Sequence, residues 1–161
     1  MQDSGKICMF TGHRDLFPNE SVMLPQRLDE LLEELISRGY TEFRAGGAAG
    51  FDTLAALKVL DKKKKYGFVR LHLYLPCHDQ EKKWHENLKS VYYYVRDNAD
   101  SVRYCSKSYY PGCMHKRNRE MVDGSSVCVA FCSKSTGGTA YTVQYAKENG
   151  LKIVNLYKKQ K

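Results

Sequence analysis

Three short stretches of this chain concentrate the residue types that hold anions and hydroxyl groups. Thr11, Gly12, His13 and Arg14 (TGHR) place a hydroxyl, a flexible backbone, an imidazole and a guanidinium in succession. In RAGGAAGFDTLAA, residues 44–56, Gly46, Gly47 and Gly50 run into a helical pattern with Asp52 in its first turn. In SKSTGGTAYTV, residues 133–143, Thr136, Gly137, Gly138 and Thr139 open a helical pattern with no acid at its start. Glycines gather where a backbone turns tightly or something approaches it closely. The start of a helix adds unpaired N–H groups and the positive end of the dipole. Together these suit the binding of a phosphate or a phosphorylated sugar.

The two glycine stretches differ in one carboxylate. Asp52 would repel a phosphate at its own helix start, so it either caps that helix or accepts bonds from ribose hydroxyls; both readings stay open. The stretch at Gly137 and Gly138 carries no such conflict and is the better phosphate cradle. Ala45-x-Gly47-x-x-Gly50 departs from the dinucleotide fingerprint at its first glycine and has no acid at the required distance of about 20 residues, which argues against a standard NAD site.

A fourth stretch, YYPGCMHKRNREMVDGS at residues 109–125, carries a conflict of a different kind. At helical spacing Met114, Met121 and Val122 share an inward stripe with Arg117 and Asn118, while Lys116 and Glu120 point away. A charge on an inward stripe is costly unless something pairs with it. Arg117 therefore joins a buried ion pair with an internal carboxylate, such as Asp52, or reaches a bound anion; the second reading is preferred. On these grounds Gly137, Gly138 and Thr139 are assigned to phosphate. Gly46, Gly47, Gly50 and Asp52 are assigned to ribose or phosphate, and Thr11, Arg14 and Tyr110 frame a base.

The elements that must position these residues follow from periodicity. Strands are predicted over Lys6–Phe10, Glu42–Ala45, Val69–Leu75, Ser101–Tyr104, Ser126–Phe131 and Lys152–Leu156. Between them lie helical stripes: Leu24, Leu28, Leu31, Leu32, Leu35 and Ile36; then Trp84, Leu88, Val91, Tyr92 and Val95; then Ala140, Val143 and Ala146. Strands alternating with helices predict a Rossmann-like α/β fold, a three-layer sandwich around a mostly parallel sheet of about six strands. One domain is expected over 1–161. In such folds ligands bind beyond the carboxyl ends of the strands, where strand order reverses, and three of the four stretches follow strands.

Composition adds exclusions. A chain of 161 residues with 42% apolar and 27% charged residues is that of an ordinary soluble domain. No stretch is apolar enough for a signal peptide or a membrane span, so a cytoplasmic protein without a membrane partner is expected. Six cysteines without a C-x-x-C pair argue against a metal site, and no cofactor is expected; Cys8 and Cys128 read as core residues. The net charge of +8 invites polyanions, but Lys62–Lys65 and the tail Lys158, Lys159 and Lys161 read as solvated faces.

In their order and spacing, TGHR, GGAAGFDTLAA, GCMHKRNREMVDGSS and GGTAYTV resemble the YpsA-like family of the SLOG superfamily, over nearly the whole chain. That superfamily is associated with Rossmann-like folds that bind nucleotide-derived ligands, and it includes LOG-type phosphoribohydrolases and DprA. Met114, His115, Arg117 and Met121 resemble the LOG M-H-x-R-K-x-x-M helix, which would make Arg117 the counterpart of its catalytic arginine. The LOG pattern P-G-G-x-G-T-x-x-E then requires a glutamate, whereas Gly138-Thr139 is followed here by Ala140, Tyr141 and Thr142. The resemblance implies a binding module for a nucleotide or a nucleotide-derived small molecule, nucleotide-sugar or ADP-ribose-like, acting as a sensor or regulator. A nucleotide-processing hydrolase is the alternative, with its catalytic residues unassigned. Nucleic-acid binding, by analogy with DprA, is a weaker one, and a homodimer stays open.

Overall fold

A computed structural model describes residues 6–157, so Lys158, Lys159 and Lys161 lie outside the described residues. The apolar runs form β1 (Lys6–Gly12), β2 (Tyr40–Ala45), β3 (Arg70–Leu75), β4 (Ser101–Tyr104), β5 (Val127–Phe131) and β6 (Lys152–Asn155). They make one sheet in the order β4-β3-β2-β1-β5-β6. Every pairing in it is parallel. The expected Rossmann-like fold is therefore present. After β1 the chain builds outward through β2, β3 and β4, then returns to set β5 against the other edge of β1. The reversal of strand order thus falls between β1 and β5.

Between the strands lie α1 (Pro18–Ser21), α2 (Leu24–Ser37), α3 (Phe51–Lys65), α4 (Glu86–Asn98), α5 (Cys113–Val122) and α6 (Gly138–Glu148). Side chains alternate across the sheet, so the central strands β1 and β5 feed two cores. Cys8, Phe10, Phe43, Leu71, Leu73, Val127, Val129 and Phe131 join the buried stripes of α2, α3 and α4 in the larger one. Met9, Cys128 and Ala130 meet Met121 and Val122 of α5 and Ala146 of α6 in the smaller one. All five residues of β5 are buried, as expected of a central parallel strand covered on both faces.

Three sequence readings are corrected. The strand at β1 runs on to Gly12, so Thr11 and Gly12 belong to the strand and not to the loop after it. Trp84 lies before α4, whose first turn follows an extended His85, and Leu88 is exposed, so the buried stripe of that helix rests on Tyr92 and Val95. Lys62 is not solvated: it is buried, with its ammonium 2.8 Å from Asp29 and 2.7 Å from Glu33, tying α3 to α2.

Candidate functional site

The carboxyl end of β1 opens onto a cavity of about 240 Å³. Its wall is drawn from five places in the chain. Thr11, Gly12 and Arg14 come from β1 and its end, and Ala48 and Asp52 from the β2–α3 turn. Gln80 and Trp84 come from the β3–α4 loop, Met114, Arg117 and Asn118 from α5, and Gly138 and Thr139 from the start of α6. Of the residues singled out in the sequence, Thr11, Gly12, Arg14, Asp52, Arg117, Asn118, Gly138 and Thr139 are therefore brought together.

Arg117 and Asp52 form the floor, each only 5% exposed. The guanidinium is tied to the ends of two strands: Nη1 donates to the carbonyl of Gly46 and, at 3.3 Å, to that of Tyr74. Its Nε donates to Asn118 Oδ1 at 2.6 Å. No direct ion pair joins it to Asp52 among the described residues. Gly46 stands between the two: a Cβ there would lie 2.6 Å from Arg117 Nη1 and 2.8 Å from Asp52 Oδ2. Burial pushes the Asp52 carboxyl up to about 6, although the nearby guanidinium and the Ala48 N–H, 3.4 Å away, pull the other way. Burial likewise lowers the arginine from its ordinary value. The floor thus holds a cation and a carboxyl that changes charge near neutral pH.

The two glycine-led helix starts differ in what occupies the space beside them. At the β2–α3 turn, the close approach is made by the chain itself. Besides Gly46, a Cβ on Gly47 would meet Leu75, and one on Gly50 would meet the backbone of Arg14. The Phe51 N–H donates to His13 O at 3.1 Å, so the first turn of α3 is used internally. Gly46, Gly47 and Gly50 lie behind the cavity wall and not on it. At α6 nothing lies within 4 Å of a Cβ built on Gly137 or Gly138. The N-cap is Gly137 with φ 100°, no side chain caps the helix, and its first turn has no acid. Gly138 and Thr139 open directly onto the cavity.

The remaining expected residues sit elsewhere. His13 Nε2 accepts the Ser133 N–H at 2.8 Å, tying the loop after β1 to the loop after β5. Burial, and Lys134 nearby, hold its pKa below the usual imidazole value. Tyr110 is exposed, and its carbonyl accepts the Cys113 N–H at 3.0 Å. Thr136 and Gly137 are exposed and outside the cavity wall.

Sequence reasoning passed over Ala48, Gln80 and Trp84, and it turned Met114 wholly toward the core. It also missed Arg44, whose Nη1 donates to the carbonyls of Met121 at 3.0 Å, Glu120 at 3.4 Å and Asp123, at the end of α5. A cation at a helix carboxyl end is favoured by the dipole, and here it fixes the helix that carries Arg117. Thr142, where the LOG pattern has its glutamate, is buried; it accepts from Asn118 Nδ2 at 2.9 Å and donates to Gly138 O at 3.0 Å. That hydroxyl joins α5 to the first turn of α6. Among the described residues, no group of three or more His, Cys, Asp or Glu side chains could hold a metal ion, and no helix is long and apolar enough to cross a membrane.

The model of the YspA SLOG family matches residues 8–157. The uncharacterized SPbeta prophage-derived protein YoqJ of Bacillus subtilis is 30% identical over 141 residues, covering 80% of this chain and 82% of that protein. A UPF0398 protein of Bacillus cereus (strain B4264) is 26% identical over 155 residues, covering 90% and 84%. Among solved structures, DNA processing protein A from Helicobacter pylori superposes with a TM-score of 0.65 at 21% identity, covering 94% of this chain and 65% of that one. The same protein from Streptococcus pneumoniae gives 0.65 at 14% identity, covering 92% and 49%. This chain thus spans less than two thirds of either DprA chain, and at these identities the likeness concerns the fold. The chain belongs to the YspA SLOG family.

Proposed function

We propose that this member of the YspA SLOG family binds a nucleotide or a nucleotide-derived small molecule at the carboxyl edge of its sheet, as a sensor or regulatory module. The observation that carries the reading is the start of α6. Its uncapped amides face open space on the same cavity into which Arg117 and Asp52 project. A phosphate at Gly138 and Thr139 would meet free N–H groups and the helix dipole without a competing acid. Asp52, across the cavity, would accept bonds from ribose hydroxyls, and its ionised form is the better acceptor. Arg117 supplies positive charge from below, held by strand-end carbonyls so that little ordering remains to be done on binding.

Thermal unfolding of the whole protein against AMP, ADP-ribose, cyclic dinucleotides and a single-stranded DNA oligomer tests this directly. The oligomer belongs in the panel because the Helicobacter pylori neighbour is described with a single-stranded DNA binding mode. A ligand present at 100 times its dissociation constant stabilises the fold by about 2.7 kcal/mol, a readable shift. At least one small nucleotide is expected to stabilise the protein, and Gly138→Asp to abolish the effect by placing an acid at the helix start. A panel without a stabilising nucleotide, or a shift that survives Gly138→Asp, overturns the assignment.

A further inference from the structure

On the α5 side of the sheet the helices cover only one half. Met9 of β1 and Cys128 and Ala130 of β5 are buried under α5 and α6. On the same side β2, β3 and β4 line a hollow of about 320 Å³ with Glu42, Arg44, His72, Tyr74, Ser101 and Arg103. Parallel sheets are usually covered, and apolar, on both faces. A polar half-face therefore calls for a reason, and three of its residues supply a chemical one. We propose that Ser101 is an activated nucleophile with His72 as its base and Glu42 positioning that base, and that the hollow hydrolyses a small, negatively charged carboxylic ester. This site stands apart from the nucleotide cavity, with which it shares no lining residue.

The three side chains form one hydrogen-bonded chain across three strands. His72 and Ser101 are direct partners in the pairing of β3 with β4. His72 Nδ1 lies 2.6 Å from Ser101 Oγ, and its Nε2 lies 3.0 Å from Glu42 Oε1. The other carboxylate oxygen accepts from Thr41 Oγ1 at 2.8 Å, which holds Glu42 in place. An ionised carboxylate only accepts, so in the neutral ring Nε2 carries the proton and Nδ1 turns a lone pair toward the serine hydroxyl. A hydroxyl becomes a useful nucleophile in this way, with a base in reach and a third group orienting the base. Ser101 is exposed at the first position of β4, so a substrate can reach its Oγ from solvent.

Two arginines select the substrate. Arg44 is fixed by carbonyls at the end of α5, and Arg103 by Glu120, 2.6 Å from its Nη2. Glu42 is the only acid among the described residues of the wall. Positive charge there favours an anionic ester and the oxyanion that develops during acyl transfer. The volume lies at the lower end of the range of about 300–1,000 Å³ usual for small-molecule sites, which suits a short acyl group. Ser101 Oγ adds to the ester carbonyl carbon while Nδ1 takes its proton. The ester C–O bond then breaks, and the leaving alcohol takes that proton from Nδ1. Water adds to the acyl carbon by the same route, releasing the carboxylic acid and restoring the serine.

Intact-mass measurement after treatment with a fluorophosphonate, together with turnover of para-nitrophenyl acetate and the anionic para-nitrophenyl hemisuccinate, tests the site. The fluorophosphonate is expected to add at Ser101, and the hemisuccinate to turn over faster than the acetate. Ser101→Ala is expected to abolish labelling. Ser101→Ala and His72→Gln should each lower turnover at least about 100-fold, the lower end of what a positioned base contributes. Glu42→Gln should lower kcat with KM unchanged, and Arg103→Gln should remove the preference for the anionic ester. Ser101 and Arg103 are exposed, so thermal melts of their variants should match the parent and separate lost chemistry from a lost fold. No label at Ser101, or turnover that survives Ser101→Ala, overturns the site and leaves a polar ladder across the strands. A parental kcat in Glu42→Gln overturns the positioning role, and equal rates for the two esters overturn the anionic substrate.

Discussion

The guanidinium of Arg117 rests on Gly46: its Nη1 donates to the Gly46 carbonyl, and a methyl group on that glycine would lie 2.6 Å from the same nitrogen. The contact joins α5 to the end of β2 and leaves no volume between them. Gly46→Ala is therefore expected to displace the guanidinium, costing about 1–3 kcal/mol by overpacking. Urea melts give that number, and ligand titration shows whether the displaced arginine still serves binding. A variant as stable as the parent would show that the contact is loose.

Arg117 and Asp52 should respond to pH together. Folding raises the Asp52 pKa from 3.8 to about 6, so the native protein holds a proton that the unfolded chain has released. This contribution to stability is present below about pH 4 and is lost as pH rises to about 6, by at most about 3 kcal/mol. Asp52→Asn should flatten that slope and stabilise the unliganded protein at pH 8. Arg117→Met removes the cation that lowers the carboxyl, so the carboxyl takes up a proton more readily. Its cost should be about 3–5 kcal/mol at pH 8 and smaller at pH 5. Denaturant melts at the two pH values decide it. Equal losses at both would mean that the arginine acts through its carbonyl bonds alone.

Hydrolysis of a nucleoside monophosphate by the LOG route should be absent. Thr142 offers only a hydroxyl at the glutamate position, and that hydroxyl is committed to Asn118 and Gly138. AMP incubated with the protein is expected to release no free adenine on chromatography at rates near the usual range of about 1–10³ s⁻¹. Turnover within that range would make the protein an enzyme with a different acid, and Asp52 would be the first to replace.

The sheet was legible because its central strands, β1 and β5, are apolar runs buried on both faces, and the strands beside them alternate with helical stripes. Ser101–Tyr104 matches β4 in full, and the other predicted strands differ from the observed ones at their ends. Strand order is set by how crossovers pack, which no local pattern encodes. The site was half legible for a specific reason. Gly46 and Gly138 carry the same signal in the sequence, a glycine before a helix. A neighbouring arginine side chain fills the space at one and nothing fills it at the other, and only the packed structure tells them apart. Trp84 was misplaced because an apolar stripe can be extended backward past the true start of a helix. His85 is extended there, which turns the indole out of α4 and toward the cleft.

The position of β1 bears on how the molecule is made. Cys8–Gly12 pair on one side with Val127–Phe131, a segment synthesised long after β2, β3 and β4. Until that segment arrives, a growing chain presents the inner edge of β1 with its backbone donors and acceptors unpaired, next to apolar side chains. Such an edge invites pairing with other chains, and long-range parallel pairing forms slowly. The step that closes this edge also delivers the loop leading to Gly137 and Gly138. Interrupted synthesis would therefore leave an aggregation-prone fragment without its α6 loop, a natural substrate for chaperones and proteases.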